Sequence, residues 1–298
     1  MRRLHYHRAD VFTDRAFGGN QLLVFMDAEG LSVEMMQTMA REMNLPEITF
    51  VAPPKGANND FHVRIFTPKM ELPMAGHPTL GTAFILQREG KIPSVGTIRF
   101  EEGVGVILVT LEAGDDSPLI TMTQPLPQFG TIIEDRRTIA EMLSLNETDL
   151  HPDYPVQGVS TGTPFTLIPV RSLEAIRRIN IRVDVWERLL KDDAFPHIFT
   201  FTPETEIAGS TVHSRMFAPA MGIPEDPATG AASGPLGAYL VKYGIVKPED
   251  AGAIMSEQGI EMSRPSFIRI AIGMDGETFT SVKISGTCVY MGAGYLEV

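Results

Sequence analysis

Short blocks of hydrophobic residues recur along the chain, and their spacing predicts a mixture of strands and helices. Residues 3–12 and 21–26 have the apolar content of strands, with a loop between them. The segment 31–44 repeats its apolar residues at helical spacing instead, with Ser32 as the expected N-cap and Asn44 as the expected stop. The chain therefore begins as strands interrupted by one amphipathic helix.

The same alternation continues towards the other end of the sequence. Strands are predicted just after Glu47 and over 61–68, and a helix then begins at His77-Pro78, with the histidine at the cap position, and ends near Gly90. The remaining predicted elements are a strand pair over 95–114, a connector over 115–130, strands over 164–170 and 197–202, and a helix over 184–190. A chain of 298 residues is long for one hydrophobic core, so the Pro- and Gly-rich connector marks the expected domain boundary.

Two segments of the chain resemble one another. Arg64–Pro68 matches Arg215–Pro219, and the segment that starts at His77 matches the one that starts at Asp226, with an offset of 151 to 149 residues, about half the chain length. Each copy runs strand, proline loop, X-Pro-x-x-Gly and helix, which indicates an internal duplication and two similar domains. The alternative is a coincidence of short Pro and Gly motifs, which are frequent at loops.

The two helix starts of this duplication are candidate anion sites. Exposed amides and the positive end of the helix dipole attract a carboxylate, and the small residues Gly76, Gly230 and Ala231 let a ligand approach the backbone. Two facing domains would then present His77 and Asp226 to one small substrate, an arrangement suited to proton transfer. The alternatives are a plain N-cap for Asp226 and a packed structural histidine for His77.

Composition narrows the function further. The net charge of −12 comes without a cluster of cations, which excludes nucleic acid as an expected partner. No segment has the length and apolarity of a membrane span or signal peptide, and the single cysteine, Cys288, has no partner for an internal disulfide, so we expect a cytoplasmic protein. His5 and His7 share a strand face but lack a third ligand, and no phosphate-binding glycine motif is present; we expect neither metal nor cofactor.

Several motifs, in order across nearly the whole chain, resemble the PhzF family of phenazine-biosynthesis-like proteins, which have the diaminopimelate epimerase-like fold. These motifs are VFTDRAFGGNQLLVF, LPEITFV, RIFTPKMELPMAGHPTLGTA, EDPATGAASGPLGAYL and EQGIEMSRPSFIRI. The resemblance implies an α+β protein with two pseudo-symmetric domains, each a curled, mostly antiparallel sheet around a central helix. We expect domains at 1–118 and 119–298, with the last strand free to pack back on the first domain.

The resemblance also implies the site residues. The family's catalytic glutamate falls on Glu47, which by spacing alone reads as a surface carboxylate at a strand end. Its Gly-His pair falls on Gly76 and His77, and its aspartate on Asp226. The epimerases of this fold carry cysteines at the two helix starts, and their absence here excludes two-thiol racemisation.

Two departures from the family pattern concern the substrate. Ala231 replaces the serine that follows DPATG in the dihydro-hydroxyanthranilate isomerase, and Asn20 is followed by glutamine where the family commonly has proline. Both changes fall at expected substrate contacts, so the phenazine substrate does not follow from the resemblance.

These observations predict a cofactor-free isomerase, usually dimeric in this family, that moves a proton on a small carboxylate held between the domains. Catalysis is assigned to Glu47, His77 and Asp226, and substrate binding to Asn20, Gly76, Gly230 and Ala231. The alternatives are an epimerase or lyase acting on an amino or hydroxy acid, and a non-catalytic protein of the same fold that binds a small metabolite.

Overall fold

The computed structural model describes residues 2–114 and 117–298, and the chain divides into two compact units. Unit 1 combines the residues up to Thr123 with Ile284–Val298, and unit 2 is Gln124–Lys283. The boundary between 118 and 119 drawn from the sequence stays a prediction about independently folding domains. Within the described residues, no helix has the length and apolarity needed to cross a bilayer.

The regular elements follow in chain order. The first part contains β1 (Arg3–Val11), β2 (Asn20–Phe25), α1 (Val33–Met43), β3 (Glu47–Ala52), β4 (Phe61–Phe66), β5 (Glu71–Leu72), α2 (Gly76–Arg88), β6 (Gly96–Glu102), β7 (Gly105–Glu112) and β8 (Leu119–Gln124). The second part contains β9 (Gln128–Ile132), α3 (Arg136–Met142), β10 (Gln157–Ser160), β11 (Pro164–Pro169), α4 (Leu173–Arg177), α5 (Val183–Leu189), β12 (His197–Thr202), β13 (Val212–Ala218), β14 (Ile223–Asp226), α6 (Gly230–Lys242), β15 (Ile254–Gln258), β16 (Ser266–Asp275), β17 (Thr278–Gly286) and β18 (Cys288–Glu297).

The two units pair their strands in the same way. In unit 1 the order is β18-β1-β2-β3-β4-β6-β7, with β5 on β4, and all pairs are antiparallel except β2/β3 and β4/β6. In unit 2 the order is β9-β10-β11-β12-β13-β15-β16, with β14 on β13, and the parallel pairs are β11/β12 and β13/β15. The repeated pairing confirms the predicted α+β fold of two similar halves.

Each unit wraps its sheet around one buried helix. The buried residues of α2 run from Gly76 to Leu86, and those of α6 from Gly230 to Val241. A helix that is buried on all sides must approach its sheet closely. At Gly81 a Cβ would lie 2.5 Å from Leu22 Cδ2, so glycine lets α2 lie directly against β2.

Several sequence predictions hold, and others are wrong. Helix α1 begins after Ser32, whose side chain accepts from the Met35 amide, and ends at Asn44 in the left-handed conformation, as expected. The prediction of a connector over 115–130 is wrong, because β8 and β9 occupy most of this segment. Strand β8 alternates buried and half-buried residues as an ordinary sheet strand does. Asp115 and Asp116 of that segment lie outside the described residues.

The cap position predicted for His77 is also wrong, and so is the alternative of an N-cap for Asp226. Ala75 is the N-cap of α2, so His77 is the second helical residue and Pro78 the third, where the first turn tolerates proline because no intrahelical N–H is needed. Thr229 is the N-cap of α6, and Asp226 instead ends β14. Neither His77 nor Asp226 is therefore a helix cap.

Candidate active site

In unit 1 the imidazole of His77 is buried beside two polar residues. His77 is 3% exposed, and burial lowers the pKa of its imidazole to about 3, against a smaller opposing effect of a hydrogen bond with the Gln21 backbone. The ring is therefore neutral at physiological pH. A neutral imidazole keeps one nitrogen as donor and the other as acceptor.

The two ring nitrogens face different partners. Asn20 Nδ2 lies 3.0 Å from His77 Nδ1, and Glu47 Oε2 lies 3.3 Å from His77 Nε2. The Asn20 side chain thus hydrogen-bonds with Nδ1, and Nε2 faces the carboxylate. Asn20 thereby holds the orientation of the His77 ring.

The sheet explains why these three residues meet. Asn20 begins β2 and Glu47 begins β3, and these strands are parallel neighbours, with Leu22 opposite Glu47. Parallel strands start at the same edge of a sheet, and α2 places its first turn at that edge. Glu47 is 6% exposed, so the predicted surface carboxylate is in fact buried next to His77.

Unit 2 holds Asp226 in a separate network. Thr229 Oγ1 donates to Asp226 Oδ2 at 2.5 Å. Gln258 holds the same loop: its Nε2 donates to the Asp226 carbonyl at 2.7 Å and to Thr229 Oγ1 at 3.0 Å, and its Oε1 accepts from the Thr229 amide at 3.0 Å. The carboxylate of Asp226 thus has a fixed orientation ahead of the start of α6.

The structure gathers the predicted site residues within each unit: Asn20, Glu47, Gly76 and His77 in unit 1, and Asp226, Gly230 and Ala231 in unit 2. Thr229 and Gln258 were missed by sequence reasoning. Gln258 lies in the EQGIEMSRPSFIRI motif, but nothing in that motif indicates contact with a loop some 30 residues earlier in the chain.

The structure corrects the register of the internal duplication. Arg64 forms a two-point ion pair with Glu71, at 2.7 and 2.6 Å, and Arg215 forms the same pair with Glu225, at 2.7 and 2.8 Å. From each glutamate, the chain reaches the first residue of the buried helix in the same number of steps. The matching segments are therefore ELPMAGH and EDPATGA.

This register changes which residues are equivalent. His77 corresponds to Ala231, and Asp226 corresponds to Leu72, so the pairing of His77 with Asp226 read from the sequence is wrong. It arose because the prolines after these two residues were matched, whereas the true equivalent of Pro227 is Pro73. The repeats share a scaffold and carry their polar groups at different positions.

A buried imidazolium supports the Gln258 segment. His213 Nδ1 lies 2.9 Å from Glu257 Oε1, and His213 Nε2 lies 2.9 Å from Glu261 Oε1. Burial by itself would lower the pKa of His213, but the hydrogen bonds with the two carboxylates raise it to about 9. The charged ring holds together the strand that carries Gln258 and the turn that follows it.

A second buried carboxyl lies behind the first turn of α2. Glu102 is 7% exposed and accepts from Thr79 Oγ1 at 2.6 Å. Burial raises the pKa of Glu102 to about 8, although the Thr79 hydrogen bond opposes the shift. Glu102 therefore stays protonated over most of the physiological range.

Comparisons with known proteins agree with this architecture. The model of the family described as "Phenazine biosynthesis-like protein" matches residues 9–294. An uncharacterized isomerase of Clostridium acetobutylicum is 33% identical over 97% of this chain and 96% of its own. The trans-2,3-dihydro-3-hydroxyanthranilate isomerase of Pseudomonas chlororaphis is 34% identical over 97% of this chain and 98% of its own.

Solved structures give the same result. The Bacillus anthracis phenazine biosynthesis protein of the PhzF family superposes with a TM-score of 0.90 at 28% identity, over all of both chains. A probable proline racemase from Agrobacterium radiobacter has a TM-score of 0.67 at 10% identity, covering 99% of this chain and 93% of its own, and shares the fold alone. The resemblance found in the sequence motifs is confirmed: this chain belongs to the phenazine-biosynthesis-like PhzF family and is an isomerase.

Proposed function

We propose that the protein is a cofactor-independent isomerase that moves a proton on a small carboxylate substrate bound in the cleft between its two repeats. The observation that carries this proposal is the buried row of Asn20, His77 and Glu47, in which a neutral imidazole of fixed orientation adjoins a carboxylate. The cleft is inferred from the internal duplication of the sequence.

Glu47 is the proton carrier in this proposal. Its carboxylate removes a proton from a carbon that is conjugated with the substrate carboxylate, and the C–H electron pair enters the conjugated system. The same carboxyl then returns the proton to another carbon, so that atoms and electrons balance without an oxidant or reductant.

Neutral His77 suits this role for Glu47. A protonated imidazole 3.3 Å away would stabilise the carboxylate and weaken it as a base, whereas the low pKa of His77 avoids this. The N–H group of the neutral ring can instead stabilise negative charge that develops on the substrate. In unit 2 the ionisable side chain is that of Asp226. Its carboxylate orients a polar group of the substrate and assists the proton transfer.

The remaining contacts hold the substrate. The amides at Gly76 and Gly230 begin the two buried helices and bind the carboxylate, since helix starts present unpaired N–H groups. Asn20 contributes to substrate binding by holding the His77 ring in place. Ala231 adds an apolar contact at the position where the dihydro-hydroxyanthranilate isomerase has a serine.

Epimerisation is the alternative chemistry, and the register of the repeats argues against it. Inversion at a carbon needs a base on one face and an acid on the other. The position equivalent to His77 is Ala231, which carries no proton, so the two helix starts do not supply a matched pair. A proton shift served by Glu47 fits this asymmetry better.

The test is proton exchange with the solvent. Because relatives carry the name trans-2,3-dihydro-3-hydroxyanthranilate isomerase, that compound is the first probe, in D2O, with turnover and deuterium incorporation followed by NMR. We expect Glu47→Gln to lower turnover by about 10²- to 10⁴-fold. Exposed Glu112→Gln is the control and should match the wild type. Turnover and exchange that survive in Glu47→Gln would contradict the assignment.

We also propose a cytoplasmic homodimer. The single cysteine, Cys288, is 2% exposed, and burial raises the pKa of its thiol, which suits a protein that forms no disulfide. Sedimentation at several concentrations tests the dimer, and a monomer throughout the range would exclude it.

A further inference from the structure

The loop between β1 and β2 is held by many hydrogen bonds. The amides of Phe12 and Thr13 both donate to the Thr287 carbonyl, at 2.9 and 3.2 Å, and the Thr287 hydroxyl donates back to the Thr13 carbonyl at 3.0 Å. At Gly19, where φ is +60°, a Cβ would lie 2.3 Å from the Val11 carbonyl oxygen. The backbone of this loop is therefore closely defined at both ends.

Phe17 occupies the middle of this loop in an unusual state. Its side chain is 74% exposed, and its φ is +67°, which bulky L residues rarely adopt. Its amide donates to Oδ2 of Asp10 at 2.9 Å, and Asp10 is only 1% exposed. A buried carboxylate thus holds the backbone of an exposed aromatic residue in a strained conformation.

Folding alone does not explain this arrangement. Single exposed apolar residues are common on protein surfaces and need no explanation by themselves. Phe17 differs because its left-handed backbone conformation destabilises the fold, and its exposed ring buries too little surface to offset this. Asparagine or glycine would adopt the same conformation at a lower cost. Strain of this kind concentrates at ligand clamps and active sites.

The loop also leads directly into the candidate site. Phe17 is three residues before Asn20, so their Cα atoms are at most ~11 Å apart. The Asn20 side chain in turn lies 3.0 Å from the ring of His77. A ring at position 17 is thus within reach of a substrate that contacts His77.

We propose that Phe17 is a specificity-determining residue whose ring packs against the nonpolar carbon skeleton of the carboxylate substrate. The inference rests on the proposed function and deepens it, because it assigns the substrate an apolar face next to its carboxylate. Bound substrate would cover a ring that is otherwise exposed to water, which favours substrates with rings or extended hydrocarbon over small polar acids.

Binding of benzoate, measured by calorimetry, tests the inference. Benzoate supplies a carboxylate with a flat apolar face, and acetate supplies the carboxylate alone. We expect Phe17→Ala to weaken benzoate binding by about tenfold, which is the order of one aromatic contact. Phe17→Leu should weaken it less, and Val95→Ala, which truncates another exposed apolar residue of unit 1, should not change it.

Phe17→Gly separates binding from folding. Glycine adopts a positive φ without strain, so this variant should unfold at or above the wild-type temperature and still lose benzoate affinity. Unchanged benzoate affinity in Phe17→Ala would overturn the inference, and so would altered self-association with unchanged affinity, which would mark a contact between copies.

The outcomes also separate this inference from the proposed function. Wild-type protein that binds no benzoate would contradict the Phe17 inference alone, since the proposed function is tested by proton exchange. Weakened benzoate binding in Phe17→Ala, together with full proton exchange in Glu47→Gln, would support the Phe17 contact and reject the proposed catalyst.

Discussion

The loop that leads into α2 and the loop that leads into α6 have the same length, the same ion pair and the same proline and glycine positions. They differ at four places, and two of these carry ionisable side chains. The residue after the glutamate is Leu72 in unit 1 and Asp226 in unit 2, and the second helical residue is His77 in unit 1 and Ala231 in unit 2. The repeated positions maintain the turn, and two of the variable positions carry the side chains to which the proposed chemistry is assigned.

A second pair of equivalent positions shows how burial changes the role of one residue type. His62 lies opposite Glu101 between β4 and β6, as His213 lies opposite Glu257 between β13 and β15. Burial, together with nearby cations, lowers the pKa of His62, whereas hydrogen bonds with two carboxylates overcome burial and raise the pKa of His213. The same strand register therefore yields a neutral histidine in one unit and an imidazolium in the other.

Removing the two histidines should give the largest contrast between the units. His213→Gln leaves Glu257 and Glu261 without their shared cation, and breaking a buried ion pair in this way costs about 3–5 kcal/mol. His62→Gln, in contrast, should cost about 0.5 kcal/mol or less. Denaturant unfolding of both variants measures the difference, and equal losses would refute the contrast.

The pH dependence of stability gives a related prediction. Because the folded pKa of His213 is about 9, above the ordinary value of 6.5, its contribution is complete below pH 6.5 and is lost as the pH rises through 9. Wild-type stability should therefore fall across this window, and His213→Gln should fall less. Parallel curves for the two proteins would show that the ring is not charged.

Glu102 of unit 1 and Gln258 of unit 2 occupy equivalent positions, because each follows one of the equivalent strand residues Glu101 and Glu257. Replacing Glu102 by glutamine therefore makes unit 1 more like unit 2. A carboxyl with a folded pKa of about 8, raised from 4.5, loses stability as the pH rises from 4.5 to 8, because the unfolded chain ionises first. Glu102→Gln removes this penalty and should stabilise the protein at pH 8 by up to about 3–5 kcal/mol.

The gain in stability should shrink towards zero as the pH falls to 4.5 and below, because the Glu102 carboxyl then becomes neutral in the unfolded as well as in the folded protein. Thermal unfolding at pH 5 and pH 8 tests this. A variant that is less stable than the wild type at pH 8 would show that the Glu102 carboxyl itself, rather than its burial, supports α2.

The smallest effect concerns the repeated ion pair. The Arg64–Glu71 pair is partly exposed, at 21% and 37% of the two side chains, so Arg64→Gln should cost at most about 1 kcal/mol. Arg215 is 7% exposed and also donates to the Ile176 and Ile179 carbonyls, so Arg215→Gln should cost more. Equal costs in denaturant unfolding would show that burial does not separate the two pairs.

Local patterns in the sequence predicted the local parts of this fold. Helix α1 could be read from Ser32, its apolar spacing and Asn44, because caps and periodicity act within a few residues. The α+β fold and the family followed from ordered motifs across the chain. Glu47 was found only through that resemblance, since its burial depends on strand pairing that its neighbours in sequence do not reveal.

The predictions that failed depended on long-range or positional detail. The wrong equivalence of His77 and Asp226 came from matching prolines, and only the Arg–Glu pairs and the helix starts fix the register. The network of Gln258 and His213 joins residues 29 to 48 positions apart, so no local pattern marks it. Such contacts become visible only when the strands are paired.

We propose that the two units contribute differently to catalysis, with the proton carrier in unit 1 and an orienting carboxylate in unit 2. The most direct measurement is solvent deuterium incorporation into trans-2,3-dihydro-3-hydroxyanthranilate by Glu47→Gln and Asp226→Asn, side by side. We expect Glu47→Gln to lose incorporation, and Asp226→Asn to retain it at a reduced rate at saturating substrate, with a raised KM. Incorporation that persists in Glu47→Gln and disappears in Asp226→Asn would show that Glu47 is not the proton carrier.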